Sequence, residues 1–461
     1  MSWKLGEEWP GRVSVAALCL VLAACGPGEV DLTRANVVVV LADTLRADHL
    51  GAYGHERPTS PFLDELAQEA VLFERVWSSA SQTAPSVLSL FTGLYPHRHG
   101  IQYHPRTQGF HPRRVIAEPE VSEDLVLLAE ILARSGFHTG AVVTNPWLAP
   151  RFGFGRGFEV YEHLPSERRH EAHASGGRVN EIAREILEHW NGERFFLYLH
   201  YMDVHGPYEP SPRARREFAG ELPGRAVHQN GPAEPSVEDL RLTRALYEAE
   251  VRDLDDRIRE LFDTLGALGL RDSTLVVFTS DHGEAFLEHG GLGHGWGLHE
   301  ELVHAPLWFS HPTLRTVARR VRVLASGVDL LPTLLDLVGE PPATGIDGIS
   351  LAPLVRGETA DATFARRIVL SELGNAKAAR RGDRKLVRRL WPEQATEAFD
   401  LASDPAERAP QAAPAWAGEL DRALAAIPPD PRIEEDAPLP EPDTMERRVL
   451  HLQLKQLGYI E

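Results

Sequence analysis

The strongest constraint on the fold is a set of three short, almost entirely apolar runs, each followed or preceded by stretches with helical spacing. They read NVVVVLA (36–42), FFLYLHY (195–201) and TLVVFTS (274–280). Runs of this length, rich in β-branched and aromatic residues, are typical of strands buried on both faces of a parallel sheet. Their alternation with helical segments predicts an α/β fold, with a doubly wound, mostly parallel sheet flanked by helices.

The composition of the chain changes near residue 358, where shorter, arginine-rich runs begin. These runs predict a small antiparallel sheet with a closing helix. We therefore expect a catalytic α/β domain over 35–357 and a C-terminal subdomain with its tail over 358–461. Within the first of these, residues 122–134 are amphipathic and begin with Ser122, a typical helix cap, so a helix is expected there.

The N-terminus carries an apolar run at residues 13–24 that is too short to span a membrane but suits a signal sequence. It ends in Leu-Ala-Ala before Cys25, which resembles a bacterial lipobox. We expect a lipoprotein signal peptide over 1–24, lipidation of Cys25 and a tether over 25–34, fixing the protein to the membrane of the bacterial cell envelope. An ordinary buried or cleaved cysteine is the alternative. Since Cys19 is the only other cysteine, no disulfide and no cysteine nucleophile are expected.

The overall charge restricts the possible partners. The formal net charge is −19, and phosphate backbones require a basic surface, so nucleic acid is not expected as a partner. A local pocket for a single anionic group remains compatible with this charge.

Acidic and histidine side chains follow each of the three predicted buried strands. Asp43 follows the first, Asp203 and His205 the second, and Asp281 and His282 the third. In open α/β sheets, ligands bind beyond the carboxyl ends of the strands, so these residues are expected at one edge. One such aspartate is usually a turn residue or a cap, but three sets together predict a site for a divalent ion, Ca, Mn, Mg or Zn.

A hydroxyl-rich segment, SQTAPS (81–86), precedes a helix that is expected to end at Gly93. A metal ion beside Thr83 would lower the pKa of its hydroxyl and favour nucleophilic attack. The alternative is that Ser81 or Thr83 only caps the helix.

Four blocks in order over roughly residues 35–410 resemble the sulfatase family of the alkaline phosphatase superfamily. They are NVVVVLADTLRADHLGAYGHERPTSPFLDELA, SQTAPSVLSLFTGLYPHRHGI, FFLYLHYMDVHGPYEP and TLVVFTSDHGEAFLEHGGLGHGWGLHEELVHAPL. The resemblance implies that Asp43, Asp281 and His282 are metal ligands and that His205 contacts the sulfate. It places Thr83 where the family has a cysteine or serine that is converted to formylglycine.

The chain departs from the family pattern at several positions. Thr83 is neither Cys nor Ser, so formylglycine cannot form there by the family's route. Val87 replaces the arginine of the family signature, Asn145 stands in place of one lysine, and His294 stands in place of another. The standard sulfatase mechanism therefore does not transfer directly.

Other members of the superfamily attack phosphate esters with a metal-bound threonine or serine, and Thr83 resembles that arrangement. The resulting hypothesis is that an ion held by Asp43, Asp281 and His282 also binds Thr83, which attacks phosphorus or sulfur.

Three further site residues complete the hypothesis. His205 or His294 protonates the leaving oxygen. Asn145 is expected to donate a hydrogen bond to the substrate or simply to end its strand. Arg46 is expected to orient the anion, with a salt bridge as the alternative.

A second ion, held by Asp203 with His205 and His294, remains possible; a hydrogen-bonded pair that orients the base is the alternative to it.

The sequence thus predicts a metal-dependent hydrolase of sulfate or phosphate esters, acting on small molecules or glycans. Two alternatives remain open: a phosphoryl-group transferase of the same superfamily, and an inactive pseudo-sulfatase that serves as a binding module.

Overall fold

The computed structural model describes residues 30–102, 104–107, 112–115, 120–164, 175–190, 192–227, 235–390, 394–412 and 414–428. The expected signal peptide, Cys25 and most of the C-terminal tail lie outside these residues, so the lipid anchor stays a prediction. Among the helices in the described ranges, none has the length and apolarity needed to cross a membrane.

Sixteen strands occur in the described residues. They are β1 (Asn36–Ala42), β2 (Val71–Trp77), β3 (His104–Thr107), β4 (Pro112–Val115), β5 (His138–Val143), β6 (Val160–His163), β7 (Phe195–Tyr201), β8 (Thr274–Thr279), β9 (Ala285–Phe286), β10 (Leu292–Gly293), β11 (His304–Ser310), β12 (Arg319–Ser326), β13 (Val369–Leu373), β14 (Ala376–Arg381), β15 (Arg384–Arg389) and β16 (Ala395–Asp400).

Twelve α-helices accompany them in the same part of the chain. They are α1 (Pro61–Gln68), α2 (Thr83–Thr92), α3 (Pro96–His99), α4 (Leu128–Arg134), α5 (Gly176–His189), α6 (Pro212–Phe218), α7 (Val237–Ala267), α8 (Glu300–Val303), α9 (Leu330–Leu337), α10 (Ala352–Val355), α11 (Ala362–Arg366) and α12 (Ala417–Ala425).

The main sheet has eight strands in the order β12-β2-β11-β8-β1-β7-β5-β6. The three runs expected to be buried strands are its centre: β1 lies between β8 and β7 and is parallel to both. Only β11 runs antiparallel to its neighbours β2 and β8. The expected mostly parallel α/β fold is confirmed.

Both faces of this sheet are covered, which explains why its central strands are apolar throughout. Along β1, Val37, Val39 and Leu41 belong to one buried cluster, together with residues of α2, α4 and α9. The alternate residues Val38 and Val40 belong to a second cluster, with residues of α1, α5 and α7. Successive side chains of a strand point to opposite faces, so β1 contributes to both cores.

The helix expected from Ser122 begins six residues later, at Leu128. The Ser122 side chain accepts a hydrogen bond from the Asp124 backbone, which stabilises a local turn instead of a helix start. The helix begins where the Glu130 carboxylate accepts a hydrogen bond from the Leu127 backbone at 2.8 Å. The expectation of a helix from Ser122 was wrong because a serine turn resembles a helix cap in sequence.

The C-terminal part forms a separate antiparallel sheet in the order β13-β14-β15-β16. Leu420 and Leu424 of α12 pack against Ala379, Leu386 and Ala398 of this sheet. The small antiparallel sheet with a closing helix is therefore confirmed.

Candidate active site

Thr83 is the first residue of α2, and its side chain is buried, with 2% exposure. The residue at the N-cap is Gln82, which makes no side-chain cap, and the Ser81 hydroxyl donates to the Gly297 carbonyl at 2.8 Å. Gly93 ends the helix in the left-handed conformation, as expected. The Thr83 hydroxyl is thus not used as a helix cap.

The Thr83 hydroxyl lies among three side chains that follow central strands. Its Oγ1 is 3.4 Å from Asp43 Oδ2 and 3.5 Å from His282 Nε2. His282 Nε2 is in turn 3.4 Å from Asp281 Oδ2 and 3.8 Å from Asp43 Oδ1. The carboxyl ends of the parallel strands β1 and β8 bring these residues together, since Asp43 follows β1 and Asp281 and His282 follow β8.

The donor set of Asp43, Asp281 and His282 fits a divalent cation. One ligand atom from each residue lies within 4.8 Å of the others. Asp43 Oδ1 and Asp281 Oδ2 are buried and have no hydrogen-bond partner among the described residues. His282 Nδ1 donates to the Gly283 carbonyl at 2.9 Å, which leaves Nε2 as the nitrogen that faces the cluster. Buried, unpaired carboxylate oxygens of this kind are stabilised by a cation.

The electrostatics of the two carboxyl groups support the same conclusion. Burial raises the pKa of Asp281 to about 7. Burial, and next the charge of Asp281, raise the pKa of Asp43 well above its ordinary value. A cation between them would favour both charged forms, because an opposite charge offsets the cost of burial.

Asn145 connects the metal-ligand cluster to the nucleophile candidate. Its Nδ2 donates to Asp43 Oδ2 at 2.7 Å and to Thr83 Oγ1 at 3.3 Å. Its Oδ1 accepts from the Trp147 backbone at 2.9 Å, which fixes the amide orientation. Asn145 therefore does more than end its strand.

His205 and His294 form the wall of a pocket next to this cluster. Their ring centroids are 5.1 Å apart, and the His294 ring lies 4.5 Å from the His282 ring. His205 Nδ1 donates to the Gly206 carbonyl at 2.6 Å. Both histidines are almost fully buried and lie beside the metal-ligand cluster.

Comparisons with known proteins agree with this geometry. A model of the sulfatase family matches residues 35–340. The chain belongs to the sulfatase family. Members of this family bind a divalent metal ion, and the family assignment makes the chain an ester hydrolase.

Individual relatives in the sulfatase family cover most of the chain. Arylsulfatase A of Bos taurus is 29% identical over an alignment of 403 positions, gaps included, that covers 74% of this chain and 71% of the relative. The multifunctional alkaline phosphatase superfamily protein PehA of Trinickia caryophylli is 25% identical over an alignment of 411 positions, gaps included, that covers 72% of this chain and 79% of the relative. The phosphonate monoester hydrolase of Agrobacterium radiobacter shares the fold, with a TM-score of 0.68, 23% identity and coverage of 85% and 94%.

Arg46 of this sulfatase-family protein forms ion pairs with carboxylates. Its guanidinium pairs with Asp48 at 2.7 Å and with Glu288 at 2.9 Å, and donates to the Glu284 carbonyl at 3.0 Å. The structure thus contains the salt bridge that was the alternative expectation. Arg46 is buried in this pair, whereas Asp48 is exposed. An anion-orienting role of Arg46 stays a prediction.

The structure does not support the possible second ion at Asp203, His205 and His294. Asp203 Oδ1 accepts from the Gly176 backbone at 3.1 Å, at the start of α5. Within the described ranges, these three residues do not form a group with ligand atoms close enough to share an ion. The segment after β7 places Asp203 against the Gly176 backbone and His205 against the Gly206 carbonyl.

Another group, formed by His289, His299 and Glu301, also has closely spaced ligand atoms. The two imidazole rings are stacked at 3.8 Å with an angle of 5° between their planes. Nitrogen lone pairs lie in the ring plane, so parallel rings do not direct them at one ion. His289 Nδ1 is instead 2.7 Å from Glu301 Oε1, and His289 Nε2 is 3.2 Å from the Glu407 carbonyl oxygen. This group links the loop before α8 to the C-terminal part of the chain.

Sequence reasoning missed two buried residues of the site. Glu284 Oε1 is 3.0 Å from His294 Nδ1, and His200 Nε2 is 3.6 Å from Asp43 Oδ2. Burial lowers the pKa of His200 to about 3, so this imidazole is neutral at pH 7. Glu284 follows the aspartate–histidine pair by two residues, which was an available signal. His200 lies inside an apolar run and had none.

Proposed function

We propose that this sulfatase-family protein is a metal-dependent hydrolase of sulfate or phosphate esters in which Thr83 is the nucleophile. The observation that supports it most strongly is the position of the Thr83 hydroxyl, 3.4–3.5 Å from Asp43 and His282. Thr83 is buried beside Asp43 and Asp281, each of which has an unpaired buried carboxylate oxygen, and such clusters of buried charged groups are concentrated at functional sites.

Asp43, Asp281 and His282 would hold the divalent ion, with Thr83 as a further ligand. Such an ion supplies Lewis-acid activation of the hydroxyl and of the ester oxygens when it is bound. Asn145 orients the hydroxyl through its 3.3 Å hydrogen bond to Thr83 Oγ1.

The proposed reaction has two steps, transfer to Thr83 and hydrolysis of the resulting ester. Thr83 Oγ1 gives its proton to the Asp43 carboxylate, to which the hydroxyl donates at 3.4 Å, and forms a bond to phosphorus or sulfur while the bond to the leaving oxygen breaks. His205 or His294 donates a proton to that leaving oxygen. Water then cleaves the Thr83 ester, releases inorganic sulfate or phosphate and restores the hydroxyl.

The substrate class and the location belong to the same proposal. Esters of sulfur and of phosphorus are both included, because one relative is an arylsulfatase and another a multifunctional alkaline phosphatase superfamily protein. The substrate is a small molecule or a glycan ester. Lipidation of Cys25 after removal of residues 1–24 would hold the enzyme at the bacterial cell envelope, as the lipobox-like sequence suggests.

A turnover panel tests the proposal. The purified full-length protein is assayed on nitrophenyl sulfate, nitrophenyl phosphate, a nitrophenyl phosphodiester and a nitrophenyl phosphonate, with each of Ca, Mn, Mg and Zn, and with EDTA. We expect turnover that requires metal and is lost in Thr83→Val, which removes the hydroxyl but retains the shape. Thr92→Val is the matched control in the same helix, since the Thr92 hydroxyl donates to the Leu88 carbonyl and accepts from the Leu94 backbone, both in or next to that helix.

Each other outcome overturns the proposal in a defined way. Metal binding without turnover on the whole panel would make the protein a binding module. Turnover that appears only when an alcohol acceptor is added would make it a transferase. Full activity in Thr83→Val would exclude Thr83 as the nucleophile.

A further inference from the structure

We propose that Glu284 is a positioning residue for His294 in the ester hydrolysis, a role that rests on the function proposed above. Glu284 would set the orientation of the His294 imidazole through Nδ1. Tyr208 would in turn hold the Glu284 carboxylate.

Both oxygens of the Glu284 carboxylate have partners. His294 Nδ1 lies 3.0 Å from Oε1, and the Tyr208 hydroxyl donates to Oε2 at 3.2 Å. Glu284 is 3% exposed, so neither bond competes strongly with bulk water. A carboxylate only accepts hydrogen bonds, so Nδ1 carries the hydrogen in this pair. Nε2 is then the nitrogen on the opposite side of the ring.

The backbone of Glu284 and the ring of Tyr208 are held in place by further contacts. The Glu284 carbonyl accepts from Arg46 Nη1 at 3.0 Å. The Tyr208 ring packs edge-on against Tyr247 at 5.7 Å and lies 6.3 Å from Phe286. Both the backbone and the carboxylate of Glu284 are therefore fixed by hydrogen bonds. Rotation of the Glu284 side chain would break its bonds to His294 and Tyr208.

The position of His294 gives this pair a role in the site. Its ring is 4.5 Å from the ring of His282 and 5.1 Å from that of His205. The imidazole must present one particular nitrogen to a leaving oxygen, and a carboxylate bound to the other nitrogen selects the ring orientation and tautomer. Rotation of the ring by 180° would break the bond to Glu284.

A buried histidine–glutamate pair is not by itself evidence of a role in catalysis. His97 Nδ1 lies 2.7 Å from Oε1 of the buried Glu372, and neither residue belongs to the site. The His294–Glu284 pair differs from the His97–Glu372 pair because His294 contacts the ring of His282, a proposed metal ligand. Glu372→Gln is therefore the matched control, because it changes an equivalent bond outside the site.

The experiment is a double-mutant cycle on the full-length protein with Glu284→Gln, His294→Asn and the combined variant. We expect Glu284→Gln to lower kcat/KM about 10- to 100-fold, the usual cost of losing a residue that orients a catalytic group. In the His294→Asn background the same change should cost less than about 3-fold, because the group through which Glu284 acts is already missing. Glu372→Gln should leave kcat/KM within about 2-fold of wild type.

A second measurement separates this inference from the proposed function. The affinity for inorganic phosphate in the presence of metal is measured over the same cycle, and nitrogen-15 spectra report the tautomer of His294. If the wild-type protein turns over none of the panel substrates, the proposed function fails, and the phosphate cycle decides the positioning role. Equal costs of Glu284→Gln in both backgrounds, or a His294 that carries its hydrogen on Nε2, would overturn the inference.

Discussion

Replacement of Asn145 tests the link between Thr83, the proposed nucleophile, and the proposed metal ligands. Its Nδ2 donates to Asp43 at 2.7 Å and to Thr83 at 3.3 Å, whereas its Oδ1 accepts from the Trp147 backbone. Asn145→Ala removes all three bonds. Hydrogen bonds to charged groups contribute about 1.5–3 kcal/mol. If that energy acts on the transition state, kcat/KM falls about 10- to 100-fold, since about 1.4 kcal/mol corresponds to a factor of ten.

Asn145→Asp separates the two functions of the amide. An aspartate oxygen still accepts from Trp147, but the donor to Asp43 is lost and a second carboxyl group lies next to the first. Two like charges about 4 Å apart cost about 4 kcal/mol at an effective dielectric constant of 20. We therefore expect a larger loss of stability than in Asn145→Ala when no metal is present, and a larger gain in the melting temperature when Mn²⁺ or Ca²⁺ is added.

Thermal unfolding with EDTA and with each ion, together with steady-state kinetics, measures both effects. Asn145→Ala also removes the helix cap formed by its bond to the Trp147 backbone. Asp361→Ala is the control for loss of such a cap alone, because Asp361 Oδ1 accepts from the Thr363 backbone at 2.8 Å at an exposed helix start. That variant should lose about 1 kcal/mol of stability and no activity. An Asn145→Asp variant with wild-type kinetics and wild-type stability in EDTA would refute the reasoning.

Two further predictions concern the region where α8 and the loop before it contact the C-terminal part of the chain. Burial lowers the pKa of His289, but the hydrogen bond to Glu301, the charge of Glu301 and the contacts with Glu407 together raise it above 6.5. The stabilising effect of protonated His289 is therefore complete below pH 6.5 and is lost as the pH rises through the folded-state value. The difference in unfolding free energy between wild type and His289→Gln should therefore shrink as the pH rises from 6 to 9, and a constant difference would contradict this. Lys385 is fully buried and pairs with Glu300 of α8 at 3.0 Å and with Glu407 at 2.7 Å, so Lys385→Met should cost about 3–5 kcal/mol in urea unfolding. The control Arg322→Met removes a pair in which the arginine is 82% exposed and should cost under about 1 kcal/mol, and equal costs of the two would refute the argument.

The sequence predicted those parts of the site that follow directly from a buried strand. Asp43, Asp281 and His282 come after apolar runs, and parallel strands end at one edge of the sheet, so their proximity follows from topology. Thr83 was identified from its place in the family signature and before a helix.

Residues whose role depends on tertiary contacts were not predictable in this way. His200 lies within an apolar strand, where its sequence neighbours indicate only burial. The pairing of Glu284 with Tyr208 joins residues 76 positions apart, and no local pattern encodes it. At Ser122 the local sequence predicted a helix start that the structure does not contain, because the Ser122 side chain stabilises a turn instead.

The direction of β1 has a consequence for access to the enzyme. The chain enters β1 at Asn36 and leaves it at Asp43, so seven residues, or about 23 Å of extended backbone, separate the two ends. Under the proposed attachment through Cys25, the tether would join the domain at the end of β1 opposite to Asp43. The linkage to the membrane would therefore not occupy the edge of the sheet at which the proposed metal ligands lie.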